Sequence, residues 1–145
     1  LPATWCSGAA AYSDRGVAFG AKRDRKKALA DFAEAIRLNP RDAFTYCSRG
    51  NVHYGNGDYD KTIADCTEAI RLAPKFAIAH YSRGAAYKAK GDLEKAIIDC
   101  TEAIRLDPKL ADAYYDRGTA CAQKGEKSRA EADFAEAKKL GYKAK

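Results

Sequence analysis

The string Asp65-Cys66-Thr67-Glu68-Ala69-Ile70-Arg71-Leu72 returns letter for letter from Asp99 to Leu106, thirty-four residues later. Looser copies stand one period further out on each side. Upstream is Asp31-Phe32-Ala33-Glu34-Ala35-Ile36-Arg37-Leu38; downstream is Asp133 to Leu140, with Lys138 and Lys139 replacing Ile and Arg. A unit this short cannot bury its own apolar face, so it must stack on copies of itself. Repeat arrays work through surfaces, and that limits the functional reading from the outset.

In register, the copies define four units, residues 9–42, 43–76, 77–110 and 111–144, behind a lead-in of residues 1–8. At 145 residues they make one elongated domain by the usual size prior. Each unit reads as two helices. The first carries a central glycine (Gly16, Gly50, Gly84, Gly118), and the second stops near Pro40, Pro74, Pro108 or Leu140-Gly141. Gly57-Asp58, Gly91-Asp92 and Gly125-Glu126 supply the turns between helices, glycine for a left-handed closure and an acid for the next N-terminus. Unit one has Arg23-Asp24 there instead, so its turn is expected to be the least regular.

Within the second helices, Ile63, Cys66 and Ile70, like Ile97, Cys100 and Ile104, recur at helical spacing and face inward. A helix-interior glycine costs about 1 kcal/mol against alanine, so four in register imply close helix approach. An arginine precedes each of them (Arg15, Arg49, Arg83, Arg117) and an acid opens each octapeptide (Asp31, Asp65, Asp99, Asp133), which predicts a structural ion pair in every unit. The five cysteines show no metal or disulfide spacing. Cys66 and Cys100 stand where the outer units have Phe32 and Phe134, and read as small buried apolar residues. This thiol usage leans towards a reducing compartment such as the cytoplasm; Cys6, outside the array, is free to serve a partner elsewhere.

The pattern resembles the tetratricopeptide repeat. In unit one its series is Tyr12, Gly16, Phe19, Ala28, Phe32, Ala35 and Pro40, and in unit three His80, Gly84, Tyr87, Ala96, Cys100, Ala103 and Pro108. Departures are Thr62 for the first alanine of unit two, His53 and Cys121 for later aromatics, and Tyr142 for the last proline. The resemblance implies an all-α fold, a right-handed α-solenoid of four helix-turn-helix repeats whose first helices line a concave groove for a peptide or partner helix. Transferred here, that groove draws Ala10, Ser13, Val17, Gly20 and Ala21 from unit one, a nearly featureless strip. Phe44, Cys47, Asn51 and Tyr54 follow from unit two, Ile78, Tyr81 and Lys88 from unit three, and Asp112, Tyr115 and Thr119 from unit four.

Tetratricopeptide domains that hold the acidic C-terminal tails of heat-shock chaperones use a clamp of lysine, arginine and asparagine. The corresponding places hold Ser13, Val17, Ser48, Ile78 and Ser82, or, shifted by one unit, Cys47, Asn51, Ser82, Asp112 and Asp116. The clamp is missing, which argues against such a tail. A protein or peptide ligand presenting apolar side chains fits better, with Lys88 as the one exposed cation and a basic ligand residue near Asp112 and Asp116. The competing reading is that these aromatics only pack between neighbouring first helices.

Half of the formal charge of +6 lies in unit one, where eight Lys and Arg face five Asp and Glu. Its source is the turn Lys22-Arg23-Asp24-Arg25-Lys26-Lys27, a candidate for weak contact with nucleic acid or an anionic surface. A single basic turn without a second stripe argues for a solvated loop instead. No enzyme, cofactor or metal site is expected: His53 and His80 replace packing aromatics, and Gly55-Asn56-Gly57 lacks the rest of a phosphate-binding loop. No apolar run reaches the length of a membrane span. Self-association stays open, with Leu1 and Trp5 placed either to cover unit one or to dock into another copy, while Lys138, Lys139, Lys143 and Lys145 cap the other end. The opening at Leu1-Pro2 and the absence of methionine read as a fragment or processed form.

Overall fold

The computed structural model describes residues 3–143, with side chains from residue 8 onward. Among them are eight α-helices and no strand: α1 (Ala3–Ala21), α2 (Arg25–Leu38), α3 (Ala43–Gly55), α4 (Tyr59–Leu72), α5 (Ala77–Ala89), α6 (Leu93–Leu106), α7 (Ala111–Gln123) and α8 (Lys127–Lys139). The fold class is all-α, in tandem helical hairpins. The chain forms two compact units, Leu1–Pro74 with α1 to α4 and Lys75–Lys145 with α5 to α8. The backbone is already helical from Ala3, so the lead-in runs unbroken into the first repeat. The expectations placed on Leu1, Trp5, Cys6 and Lys145 lie outside the described residues or side chains.

Proline ends the second helices from a distance. α2, α4 and α6 stop two residues before Pro40, Pro74 and Pro108, and the intervening Asn39, Ala73 and Asp107 have ψ of 87°, 82° and 93°. A residue before proline is pushed out of the helical region, so the helix cannot continue. α8 lacks that proline and closes on Gly141 (φ 89°), with Tyr142 N–H donating to the Ala137 carbonyl.

Each hairpin is held by the same two devices. A methyl group on Gly16 would stand 2.8 Å from the Phe32 ring, and one on Gly118 2.8 Å from the Phe134 ring. At Gly50 and Gly84 the sulfurs of Cys66 and Cys100 would be 3.2 and 3.1 Å away. The glycines therefore let the partner helix close up, and the fully buried Phe32 alone stabilises the hairpin by about 2–3 kcal/mol. Beside each glycine the arginine grips the octapeptide acid through two parallel hydrogen bonds. Arg15–Asp31, Arg49–Asp65, Arg83–Asp99 and Arg117–Asp133 all measure 2.7–2.8 Å. The Arg15 bond holds the Asp31 carboxyl below the usual carboxylate range. Cys66 and Cys100 are buried, and burial pushes the Cys100 thiol up to about 12, which suits a packing role.

The unit-one turn departs from expectation. Arg23 takes φ 60°, the left-handed conformation that Gly57, Gly91 and Gly125 take in the other hairpins. Its hydrogen bonds match theirs: Arg23 N–H to the Gly20 carbonyl and Asp24 N–H to the Phe19 carbonyl, both 2.9 Å, as Gly57 and Asp58 bond to Tyr54 and His53. The turn is as regular as its counterparts, because closure of the hairpin dictates the backbone and Arg23 bears the strain of about 1–2 kcal/mol. No helix among the described residues is long and apolar enough to cross a membrane.

Candidate functional site

The first helix of each hairpin carries the candidate surface, and each compact unit holds its own part. Among the described residues five large apolar side chains are exposed, Val17, Phe44, Tyr54, Ile78 and Ile98; four of them stand on first helices, and Ile98 on α6. In the first unit, α3 presents Phe44 at 51% exposure and Tyr54 at 37%, with exposed Asn51 between them. Tyr54 is steadied by the ring of Tyr59, 5.4 Å away. Cys47 is placed differently from expectation: it is buried and offers a ligand no surface. Ser13, also in the predicted strip, is buried with its hydroxyl 2.9 Å from that of Thr45, which joins α1 to α3.

Beside this surface the first unit has a cleft of about 360 Å³, lined by Val17 and Gly20 of α1, by Ser48, Asn51, Val52 and Gly55 of α3, and by Arg23, Arg25 and Phe32. Val17, Val52 and Phe32 make its apolar part and the two arginines its cationic rim. Gly55 leaves room for Arg25: a methyl group there would stand 3.3 Å from the arginine Nε. Reading the basic turn as a solvated loop missed this cleft. The available signal was an arginine where three sister turns have glycine.

In the second unit Ile78 is exposed and Tyr81 half-buried on α5, while α7 contributes exposed Asp112 and half-buried Tyr115 and Thr119. Lys88 is not the free cation the sequence suggested. Its ammonium is paired with Asp116 of α7, so each neutralises the other, and of the two acids expected to face the ligand Asp112 is the exposed one. Opposite charges on adjacent first helices meet, which spacing within one repeat does not reveal. Tyr115 lies stacked on Tyr142, ring centroids 4.2 Å apart, and tilted against Phe134 at 5.5 Å, so part of its surface is spent on packing. The Thr119 hydroxyl donates to the Tyr115 carbonyl at 2.9 Å.

His53 replaces an aromatic and behaves as one. Its Nδ1 is buried without a hydrogen-bond partner, 3.7 Å from Asp58, and burial is the main cause that lowers its pKa, with Asp65 opposing.

These hairpins, with a glycine and an Arg–Asp pair in every copy and exposed apolar side chains on first helices, define a helical repeat protein. A tetratricopeptide repeat profile matches residues 43–76 and 77–110, and two further profiles of the same description match 9–42 and 101–142. The chain belongs to the tetratricopeptide repeat family. No match was found among curated protein sequences. Among solved structures, the second tetratricopeptide domain of Spaghetti (RPAP3), determined with the HSP90 peptide SRMEEVD, is 33% identical with a TM-score of 0.66, covering 68% of this chain and 91% of that one. MamA from Desulfovibrio magneticus RS-1 is 24% identical with a TM-score of 0.80, covering 89% and 73%. The Arabidopsis OM64 domain is 24% identical with a TM-score of 0.80, covering 82% and 98%.

Proposed function

We propose that the protein is a non-enzymatic interaction scaffold whose first helices bind a peptide or partner helix through apolar contacts. The observation that carries this reading is the exposure of Phe44, Tyr54 and Ile78 on first helices, where a soluble surface gains nothing from large apolar side chains. The RPAP3 domain, solved with a bound peptide, supports the same use of the fold. The second unit's own part of the surface adds Tyr81, Asp112, Tyr115 and Thr119 to Ile78, with Asp112 offered to a basic ligand residue. Cys47 is excluded from the contact set by burial, and the Lys88–Asp116 pair frames the surface without offering net charge.

A binding screen against a library of soluble peptides tests this. Phe44→Ala and Ile78→Ala should each weaken the selected peptides by about tenfold or more, the scale of an interface anchor, while Ile98→Ala, at a still more exposed apolar residue on a second helix, should leave binding unchanged. Equal sensitivity at all three positions, or loss at Ile98 alone, would remove the first helices from recognition.

A further inference from the structure

Resting on that peptide-binding reading, we infer that the cleft of the first unit holds an acidic side chain of the bound peptide, an Asp or Glu flanked by an apolar residue, on Arg23 and Arg25. Arg23 and Arg25 both line the cleft, and among the described residues neither side chain has a carboxylate partner. Arg15, Arg37, Arg49, Arg71, Arg83, Arg105, Arg117 and Arg129 are each paired with an Asp or Glu, and Arg41, which has no such pair among the described residues, does not line the cleft. No acid is among the lining residues, and Ser48 and Asn51 add neutral hydrogen-bonding groups. An arginine fork matches a carboxylate in shape and charge, and Val17, Val52 and Phe32 supply an apolar floor for the residue beside it.

The position of Arg23 makes the arrangement costly for folding alone. It occupies a left-handed conformation at φ 60° that glycine takes in the other three hairpin turns. A side chain held there against backbone strain, and lining a cleft, is placed for something outside the fold. Arg25 depends on a second accommodation, Gly55, whose missing side chain leaves the guanidinium its place.

A peptide recognised in this way is distinct from a chaperone tail held by its terminal carboxylate, since the cations stand at the turn between α1 and α2. It is also distinct from a polyanion. The cleft joins cations to apolar surface, whereas Lys22, Lys26 and Lys27, the rest of the basic turn, are not among its lining residues.

The test uses C-terminally amidated peptides from the library screen, each made with Glu and with Gln at the acidic position, and measures their affinity for the full chain by fluorescence anisotropy. Wild-type protein should prefer Glu by about tenfold, the scale of a charge-assisted hydrogen bond. Arg25→Gln and Arg23→Gly should each abolish the preference, so that Glu and Gln peptides bind alike. Arg23→Gly relaxes the turn, so a loss of preference in that variant cannot be assigned to misfolding. Peptides that bind through Phe44 with no Glu preference would overturn the inference and leave the scaffold reading intact; no peptide binding at all would overturn both. Tighter binding of oligothymidylate than of any peptide, lost in Lys26→Glu with Lys27→Glu, would assign the turn to a polyanion and overturn the inference.

Discussion

At the level of single residues, small side chains set how closely helices approach, and the tolerances differ between repeats. A methyl group at Gly118 would meet an aromatic ring at 2.8 Å, whereas one at Gly50 would meet a cysteine sulfur at 3.2 Å. Alanine at either site recovers about 1 kcal/mol of helix propensity, but at position 118 the ring must be displaced, at a cost of about 1–3 kcal/mol. Chemical denaturation should therefore find Gly118→Ala the less stable of the two variants by about 1–2 kcal/mol. His53 supplies a pH dependence. Burial lowers its pKa in the folded state, so on acidification the unfolded chain takes up the proton first, and stability falls as pH drops through the ordinary histidine value of about 6.5, levelling off below the folded value. His53→Phe should remove this share of the loss, read as a smaller change in unfolding midpoint between about pH 7.5 and about pH 5.5. The glycines and Arg–Asp pairs were legible in the sequence because they recur in every unit. Lys88–Asp116 was not, since it occurs once and joins two different repeats.

At the level of elements, helix ends followed from proline and glycine, and the one misjudged turn shows why. Local preference predicted irregularity at Arg23, but a hairpin closed by a glycine-bearing helix and a bidentate ion pair leaves one backbone path, and the residue conforms. Arg23→Gly should therefore raise stability by about 1 kcal/mol, set by the strain released less the extra chain entropy of glycine. Differential scanning calorimetry would detect it as a higher midpoint; an unchanged or lower midpoint would mean that the arginine side chain contributes as much to the fold as its backbone costs. The same substitution separates stability from recognition, because it should strengthen the fold while erasing a preference for acidic peptides.

For the whole molecule, four copies of one hairpin were readable from the thirty-four-residue period before any side chain was placed. The surface was readable less completely. Phe44, Tyr54 and Ile78 are exposed where the repeat register puts them, but Cys47 is buried and Lys88 neutralised, because burial and pairing depend on the length and charge of neighbours that register does not specify. The most direct measurement of recognition by first helices is amide chemical-shift mapping of the full chain with the tightest library peptide. The largest shifts should fall on α3 and α5, around Phe44, Tyr54 and Ile78. Shifts gathered on α2, α4, α6 or α8, with Phe44 and Ile78 silent, would contradict it.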